Sequence, residues 1–156
     1  MRAVVQRCNG ASVSVDGHEV GAFQGPGLLA LVGVARGDDQ DQAERLANKL
    51  WRLRLFSPDQ LGEHLELPAT AKGDLSAADL SLPILVISQF TLYGRTNKGR
   101  RPTWEDAAPS IEAEPLIDHL IVKLQELGAD VATGVFGADM EVASKNDGPM
   151  TLIVDA

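Results

Sequence analysis

The sequence predicts one α+β domain spanning residues 1–156, with a mainly antiparallel β-sheet or barrel-like core and two principal helices. Short apolar or alternating segments, typical of strands, occupy the first third of the chain and its end. Two segments with helical apolar spacing interrupt them, without the regular strand–helix alternation of a parallel fold. A chain of 156 residues with 44% hydrophobic residues has the length and composition of a single globular domain.

The first 34 residues are predicted to form strands. Val4–Arg7 is short and apolar, and Ala11–Val15 alternates apolar with polar residues, as a half-buried strand does. Asp16-Gly17 predicts a hairpin turn, because glycine tolerates the positive φ that such turns require. The returning strand is predicted at His18–Gly21, and Leu28–Val34 follows a break at Gly25-Pro26-Gly27.

Two segments carry the helical repeat. Asp38 is predicted to cap the first helix, because a carboxylate accepts hydrogen bonds from amides of the first turn. Its apolar stripe is Ala43, Leu46, Ala47, Leu50 and Leu53. The second helix is predicted at Ile111–Leu127, with Gly128 placed to end it. The remaining strands are predicted at Ile84–Phe90, Val131–Val135, Glu141–Ser144 and Met150–Val154, and long loops at Pro58–Leu82 and Tyr93–Pro109.

Charge and composition exclude several classes of function. The net charge of −8 argues against sequence-independent binding along a nucleic-acid backbone, so no DNA partner is expected. The single cysteine, Cys8, excludes an internal disulfide framework. No segment approaches the roughly 20 apolar residues of a membrane span, and the N-terminal residues lack the apolar segment of a signal peptide. We therefore expect a cytoplasmic protein without a membrane partner.

The usual catalytic motifs are absent from the sequence. It contains no Gly-x-Ser-x-Gly elbow, no His-Glu-x-x-His and no phosphate-binding Gly-x-x-x-x-Gly-Lys. His18, His64 and His119 lie far apart in the sequence, and each is expected to be a solvated surface residue. Neither a metal site nor Ser-His-Asp chemistry is predicted, and no cofactor is expected.

Hydrogen-bonding side chains end the predicted strand Ile84–Phe90. Ser88 and Thr91 offer hydroxyls, and Gln89 offers both a donor and an acceptor. Such a strand end suits a functional site, because the sheet fixes the geometry while the side chains reach solvent. From the residues alone, polar groups that simply satisfy nearby backbone remain the alternative.

A second unusual segment is Asn146–Thr151. Gly148-Pro149, preceded by Asn-Asp, predicts a turn. A cis peptide is possible at this bond, and an ordinary trans turn that leads into the last strand is the alternative.

A third segment concentrates positive charge. Arg95, Lys98, Arg100 and Arg101 hold four of the 14 basic side chains within seven positions. These groups can hold phosphates, and the nearby Trp104 can stack on a base or simply pack. A charged, solvated surface loop is the alternative.

Together these segments resemble the D-aminoacyl-tRNA deacylase family, also called D-tyrosyl-tRNA deacylase. The resemblance covers nearly the whole chain, and its two signatures are Ser88–Leu92 and Asn146–Pro149 with Thr151. Further agreement lies in Met1–Arg7, Gly25–Leu29, Leu31–Val34, Lys98–Pro102 and Phe136–Met140. The chain departs from the family between Phe56 and Ile84, where a shorter link usually contains Lys-Met-Asn. Here the longer link reads Gly62-Glu63-His64-Leu65-Glu66-Leu67.

The resemblance implies an editing hydrolase that cleaves the ester of D-aminoacyl-tRNA, and of mischarged glycyl-tRNA, and rejects L-aminoacyl-tRNA. It implies a homodimer without cofactors, in which a cis Gly148-Pro149 enters the partner's site and Arg7 helps to hold that motif. Ser88 would line the pocket. The implied catalytic residues are Gln89, Phe90 and Thr91, and the residues expected to bind tRNA are Arg95, Lys98, Arg100 and Arg101.

Two mechanisms and two rival functions remain open from the sequence. Thr91 as a covalent nucleophile needs a nearby base, and no histidine is evident. We favour a non-covalent route, in which backbone amides near Phe90 and Thr91 stabilise the oxyanion and the ribose 2′-hydroxyl of the tRNA orients water. The rivals are a non-catalytic RNA-binding module, which the acidic net charge disfavours, and a general small-ester hydrolase.

Overall fold

The computed structural model describes residues 1–58, 61 and 73–156. The Gly62–Leu67 stretch, and with it part of the predicted Pro58–Leu82 loop, lies outside the described residues. The strands are β1 (Arg2–Val15), β2 (His18–Gly33), β3 (Arg54–Phe56), β4 (Leu75–Ser76), β5 (Ile84–Ser88), β6 (Val131–Thr133) and β7 (Met140–Asp155). The helices are α1 (Gln40–Arg52), α2 (Ala77–Leu80) and α3 (Ser110–Glu126), with a 3-10 turn at Phe90–Tyr93.

Five strands form one mixed sheet in the order β6-β5-β2-β1-β7. β1 pairs antiparallel with β2 and β7, whereas β5 pairs parallel with β2 and β6. Parallel neighbours need a crossover connection, and α1 and α3 lie in the two crossovers. A second, two-stranded sheet joins β3 and β4. The prediction of a sheet with two principal helices is confirmed, and most of the pairing is antiparallel as expected, because β1 pairs along its length with β2 and β7. The two short parallel pairs of β5, which make the sheet mixed, were not predicted, and the described strands form an open sheet and not a barrel.

The main core lies between the sheet and the two long helices. Leu46 and Leu50 of α1, and Leu120 and Leu124 of α3, are fully buried against one face of the sheet. A smaller cluster on the other face includes Leu85. Strand β5 serves both clusters, since successive side chains of a strand point to opposite faces. Its end is therefore fixed from two sides.

The helix starts differ in detail from the prediction. Asp39, not Asp38, caps α1: its carboxylate accepts from the Gln42 amide at 3.2 Å, and the Gln42 side chain accepts from the Asp39 amide at 2.9 Å. Asp38 instead accepts from the amide of Ala35 at 2.6 Å. Leu53, predicted on the helical stripe, follows the helix in an extended conformation.

Several predicted strands prove to be parts of longer ones. The two segments predicted before residue 16 join in β1, and the Gly25-Pro26-Gly27 break lies inside β2. The hairpin at Asp16-Gly17 is confirmed, with φ of 50° and 77° at these residues. The last two predicted strands and the turn between them all belong to β7. Among the described residues, no helix is both long and apolar enough to cross a membrane.

Candidate functional site

A cavity of about 630 Å³ opens where β5 ends. Ser88, Gln89 and Phe90 line it on one side. The beginning of α3 and the Phe136–Met140 segment line other parts of it. Concave sites of a few hundred cubic ångströms are the usual size for small-molecule recognition. The polar strand end predicted from the sequence therefore lies in a cavity of suitable size.

The segment after β5 is fixed by the neighbouring strand. The Gln89 amide donates to the Val32 carbonyl at 2.7 Å, and the 3-10 turn begins directly after it. Gly33 lies under this turn: a Cβ there would be 3.1 Å from the Gln89 carbonyl oxygen and 3.1 Å from Tyr93 Cδ2. The absence of a side chain at Gly33 therefore lets the turn pack directly on β2.

Gln89 and Thr91 interact through their side chains. Gln89 Nε2 donates to Thr91 Oγ1 at 2.6 Å. A carboxamide of this kind is not a base, so this contact does not activate Thr91 as a nucleophile. Within the described residues, no histidine or carboxylate is hydrogen-bonded to this hydroxyl, and Thr91 is not among the residues that line the cavity. Of the three predicted catalytic residues, the structure brings Gln89 and Phe90 to the cavity wall.

Charged groups reach the cavity from two other elements. Arg36, just after β2, and Asp139, just before β7, both line it. Neither residue is predicted at the site from the sequence, although Asp139 lies in a segment that resembles the family. On the far side of the 3-10 turn, burial raises the pKa of Tyr93 to about 12, so its hydroxyl stays protonated at neutral pH.

The four predicted tRNA-binding cations fall into two groups. Arg95 donates to Asp106 Oδ2 at 2.6 Å and to Glu105 Oε2 at 2.7 Å. Hydrogen bonding and charge from this pair raise the pKa of Arg95, and the Arg95 guanidinium lowers the pKa of Asp106. Lys98, Arg100 and Arg101 are exposed and form no ion pair within the part of the chain that the structure describes. Of the four predicted cations, these three therefore offer positive charge that no described carboxylate neutralises.

The segment Asp147–Met150 forms a bulge on the edge strand β7. Gln6 pairs with Thr151 and Cys8 with Asn146, so Arg7 alone faces these four residues. The Gly148-Pro149 peptide is cis, as the resemblance implies, and both residues are exposed.

Arg7 ties this bulge to the body of the protein. Its side chain is only 3% exposed, and its Nε lies 2.9 Å from Asp147 Oδ2. Its Nη1 donates to the Leu55 carbonyl at 2.7 Å, whereas its buried Nη2 has no acceptor within the described residues. Asn146 Nδ2 donates in turn to the Arg7 carbonyl at 3.0 Å. The bulge is thus anchored to both β1 and β3.

The two signature segments do not line the same cavity within one chain. Gly148 and Pro149 are not among the residues that line the cavity, whereas Ser88 and Gln89 are. The described residues also contain no group of three or more His, Cys, Asp or Glu side chains placed to hold a metal ion.

Comparison with known proteins gives a consistent assignment. The family model D-Tyr-tRNA(Tyr) deacylase matches residues 4–155. A D-aminoacyl-tRNA deacylase of Streptomyces coelicolor is 52% identical over 155 residues, which cover 99% of both chains. A solved structure named c-Myc DNA Unwinding Element Binding Protein is 33% identical, has a TM-score of 0.83 and covers 100% of this chain and 99% of its own.

A second solved structure, described as a probable eukaryotic D-amino acid tRNA deacylase, supports the fold alone. It is 16% identical, with a TM-score of 0.82, and covers 99% of this chain and 98% of its own. The resemblance and the hydrolase class predicted from the sequence are confirmed by the family model and the curated relative. The chain belongs to the D-Tyr-tRNA(Tyr) deacylase family.

Proposed function

We propose that this protein hydrolyses the ester of D-aminoacyl-tRNA to free tRNA and a D-amino acid, and that it rejects L-aminoacyl-tRNA. The observation that carries the proposal is the cavity lined by Ser88, Gln89 and Phe90 in a chain 52% identical to a D-aminoacyl-tRNA deacylase. The whole chain acts as one domain, in the cytoplasm, where tRNA is charged.

The cavity suits the 3′ end of a charged tRNA. A volume of about 630 Å³ has room for a terminal adenosine and its aminoacyl group. We place the ester at the β5 end, because Ser88 and Gln89 bring hydrogen-bonding side chains to the cavity there. Arg36, which also lines the cavity, supplies positive charge for the terminal phosphate.

The chemistry we propose is non-covalent. The amides of Phe90 and Thr91 begin the 3-10 turn, where N–H groups have no acceptor within the turn itself. They are available to stabilise the oxyanion that forms when water attacks the ester carbonyl. The bond to the ribose oxygen then breaks, and that oxygen receives a proton from the attacking water. A covalent role for Thr91 is not proposed, because no side-chain base contacts its hydroxyl within the described residues. The vicinal ribose 2′-hydroxyl of the tRNA is proposed to orient the water.

Stereochemical selection is proposed to come from a second copy of the chain. The Asp147–Met150 bulge would enter the partner's cavity, and its backbone carbonyls would exclude an L side chain by steric clash. Glycine has no side chain to clash, so glycyl-tRNA is expected to be a substrate as well. Two observations support an association of this kind. The bulge projects from an edge strand, and the same strand exposes Leu152 (36%) and Ile153 (69%).

Gly148 itself gives independent support. Its φ lies outside the left-handed region, and a Cβ there would meet only Asn146 Oδ1, at an ordinary 3.6 Å. Nothing within the described part of its own chain therefore requires glycine at this position. The requirement we propose comes from the substrate in the partner's cavity, which the backbone must approach closely.

The unpaired cations Lys98, Arg100 and Arg101 are proposed to hold tRNA phosphates. Arg95 has a different role, since its guanidinium is held by Glu105 and Asp106 at the base of the same loop. One structural relative is named as a DNA unwinding element binding protein, but we propose no DNA binding for this chain. A net charge of −8 disfavours contact along a duplex.

The decisive experiment compares four substrates with one enzyme preparation: D-tyrosyl-tRNA, L-tyrosyl-tRNA, glycyl-tRNA and a small aromatic ester. We expect hydrolysis of the D-tyrosyl and glycyl esters and at most traces with the L-tyrosyl ester. Equal hydrolysis of the D and L esters, together with the small ester, would identify a general esterase instead. Binding of tRNA without any hydrolysis would identify an RNA-binding module.

A further inference from the structure

Phe90 and Trp104 form an exposed aromatic pair, here called the aromatic rim, at the edge of the cavity. Their ring centroids are 5.5 Å apart and their planes meet at 78°. Phe90 is 57% exposed and Trp104 is 42% exposed, although both also line the cavity. Large aromatic side chains left this open to water in a folded chain commonly mark a contact surface.

The indole of Trp104 is held in place by backbone. A Cβ on Gly94 would lie 2.5 Å from Trp104 Cζ3, so the ring rests directly on the glycine. Next to it, the Arg95 amide donates to the Thr103 carbonyl at 2.8 Å, and the Thr103 amide donates back to the Arg95 carbonyl at 3.2 Å. The rim is therefore a prepared surface, which loses little conformational freedom when a ligand stacks on it.

The rim lies between the cavity and the unpaired cations. The Arg95–Thr103 bridge closes the base of a loop whose outer part carries Lys98, Arg100 and Arg101. Trp104 follows that bridge directly and lines the cavity on the other side. A nucleotide chain that runs from the cavity to these cations would therefore pass close to the indole.

We propose that the aromatic rim stacks the nucleobase that precedes the terminal adenosine of the tRNA 3′ end. This inference rests on the proposed function, which places that adenosine in the cavity. The 3′ end of tRNA is single-stranded, so its bases have free faces to stack on aromatic side chains. Stacking of this kind tolerates any base, and the phosphates that flank the base meet the adjacent cations.

A second copy of this chain is a less suitable partner for the aromatic rim than a nucleic acid is. A two-fold contact centred on the rim would bring the Lys98, Arg100 and Arg101 clusters of both copies together. Like charges at close range oppose such a contact, whereas they favour a phosphate backbone. The exposed Leu152 and Ile153 offer a second copy an apolar surface on a different element, β7.

The test uses three analogues in which an amide replaces the labile ester. The first is 3′-(D-alanylamino)-3′-deoxyadenosine. The second carries a 5′-linked cytidine, and the third carries an abasic ribose in place of that cytidine. The second and third share the same phosphate, so the ratio of their affinities isolates the contribution of the base.

For the unaltered protein we expect the cytidine analogue to bind about tenfold more tightly than the abasic one. Trp104→Ala should reduce this ratio to about two or less, and Trp104→Phe should retain most of it, because a phenyl ring still stacks. Because each ratio compares two affinities of the same variant, any effect of the substitution on binding of the shared adenosine part cancels.

Fluorescence provides an independent readout. The protein has two tryptophans, and Trp51 is only 5% exposed, with its indole N–H donating to the Leu127 carbonyl at 3.0 Å. Quenching by the cytidine analogue, but not by the abasic one, should therefore come from Trp104 and disappear in Trp104→Phe.

The outcomes separate this proposal from the function on which it rests. A ratio near one in the unaltered protein, with tight binding of the mononucleoside analogue, would overturn the aromatic rim alone. Failure of the mononucleoside analogue to bind would overturn the placement of the adenosine as well. If Trp104→Ala sediments as a smaller species than the unaltered protein, the rim is instead an interface between copies.

Discussion

The two signature segments of this chain are built in different ways. The segment after β5 is complete within one chain, because Gly33 and Val32 fix the turn and Ser88, Gln89 and Phe90 line the cavity. The Asp147–Met150 bulge is also fixed, through Arg7, but it projects from the edge of the sheet. The first segment forms part of a cavity wall, and the second is an anchored projection that lines no cavity within the described residues.

This difference teaches where each segment can act. A cavity wall contacts whatever enters the cavity, so the β5 segment can bind and polarise an ester by itself. The bulge, held by a buried arginine, lines no cavity of its own within the described residues, so we propose that it selects by shape in the cavity of a second copy. Under this proposal the chemistry belongs to the β5 segment and the stereochemical selection to the bulge. Each of the following predictions tests one side of that division.

The largest effect is expected from Gly148→Ala. Because an added Cβ is accommodated within the chain, the free energy of unfolding should change by less than about 1 kcal/mol. In the partner's cavity the same methyl group should displace the substrate, and kcat/KM for D-tyrosyl-tRNA should fall about 100-fold. Lys145→Ala, an exposed change on the same strand, is the control for general effects on β7. Full activity in Gly148→Ala would leave the bulge without a role in the site.

A smaller effect, on stability, is expected at the anchor of the bulge. Asp147→Ala leaves the buried Arg7 guanidinium without its carboxylate, and we expect the free energy of unfolding to fall by about 2–3 kcal/mol. The double variant Arg7→Met/Asp147→Ala removes the uncompensated charge, so it should be more stable than Asp147→Ala alone. Denaturant unfolding of both variants measures the difference. An Asp147→Ala variant as stable as the unaltered protein would show that the ion pair does not anchor the bulge.

The loop that carries Lys98, Arg100 and Arg101 should contribute to tRNA affinity only through its unpaired charges. Replacing Arg100 and Arg101 by alanine should flatten the dependence of log K for tRNA on log salt by about 1.4–1.8 units, or 0.7–0.9 per lost phosphate contact. The matched control replaces Arg45 and Arg52, two exposed arginines on α1, and changes the net charge equally. Equal slopes for the two double variants would mean that the loop acts only through the overall charge.

The smallest effect is expected at Thr91. Its hydroxyl accepts a hydrogen bond from Gln89 and contacts no base within the described residues, so Thr91→Val should retain kcat within about threefold. Gln89→Ala should reduce kcat more, because Gln89 itself lines the cavity. Rapid-quench measurements with D-tyrosyl-tRNA give kcat and also reveal any acyl-enzyme. An acyl group trapped on Thr91 would establish the covalent mechanism instead.

Local patterns predicted the elements that depend on local physics. The stripe through Leu46 and Leu50 predicted α1 because a helix repeats its buried face within a few residues. The polar end of β5 was likewise visible, since a buried apolar segment changes to hydrogen-bonding side chains there. The one-residue error at the cap, Asp39 in place of Asp38, arose because two adjacent carboxylates offer the same local signal.

Features that depend on distant partners were missed. The parallel pairing of β5 with β2 and β6 joins segments separated by α1 and α3, and no local pattern reports it. Arg36 and Asp139 reach the cavity only because the fold brings their elements together. The ion pairs that neutralise Arg95 were also not predicted, although the acidic Glu105-Asp106 in the same loop could have indicated them.

Complementation between two impaired variants tests the shared site most directly. One variant carries Gln89→Ala in its cavity, and the other carries Gly148→Ala in its bulge. In a statistical mixture of dimers, half are mixed and each mixed dimer has one intact site, so about a quarter of the full D-tyrosyl-tRNA deacylase activity should return. Co-expressed chains with different affinity tags allow the mixed dimer to be purified and assayed. A purified mixed dimer no more active than its parents would contradict a site built from two chains.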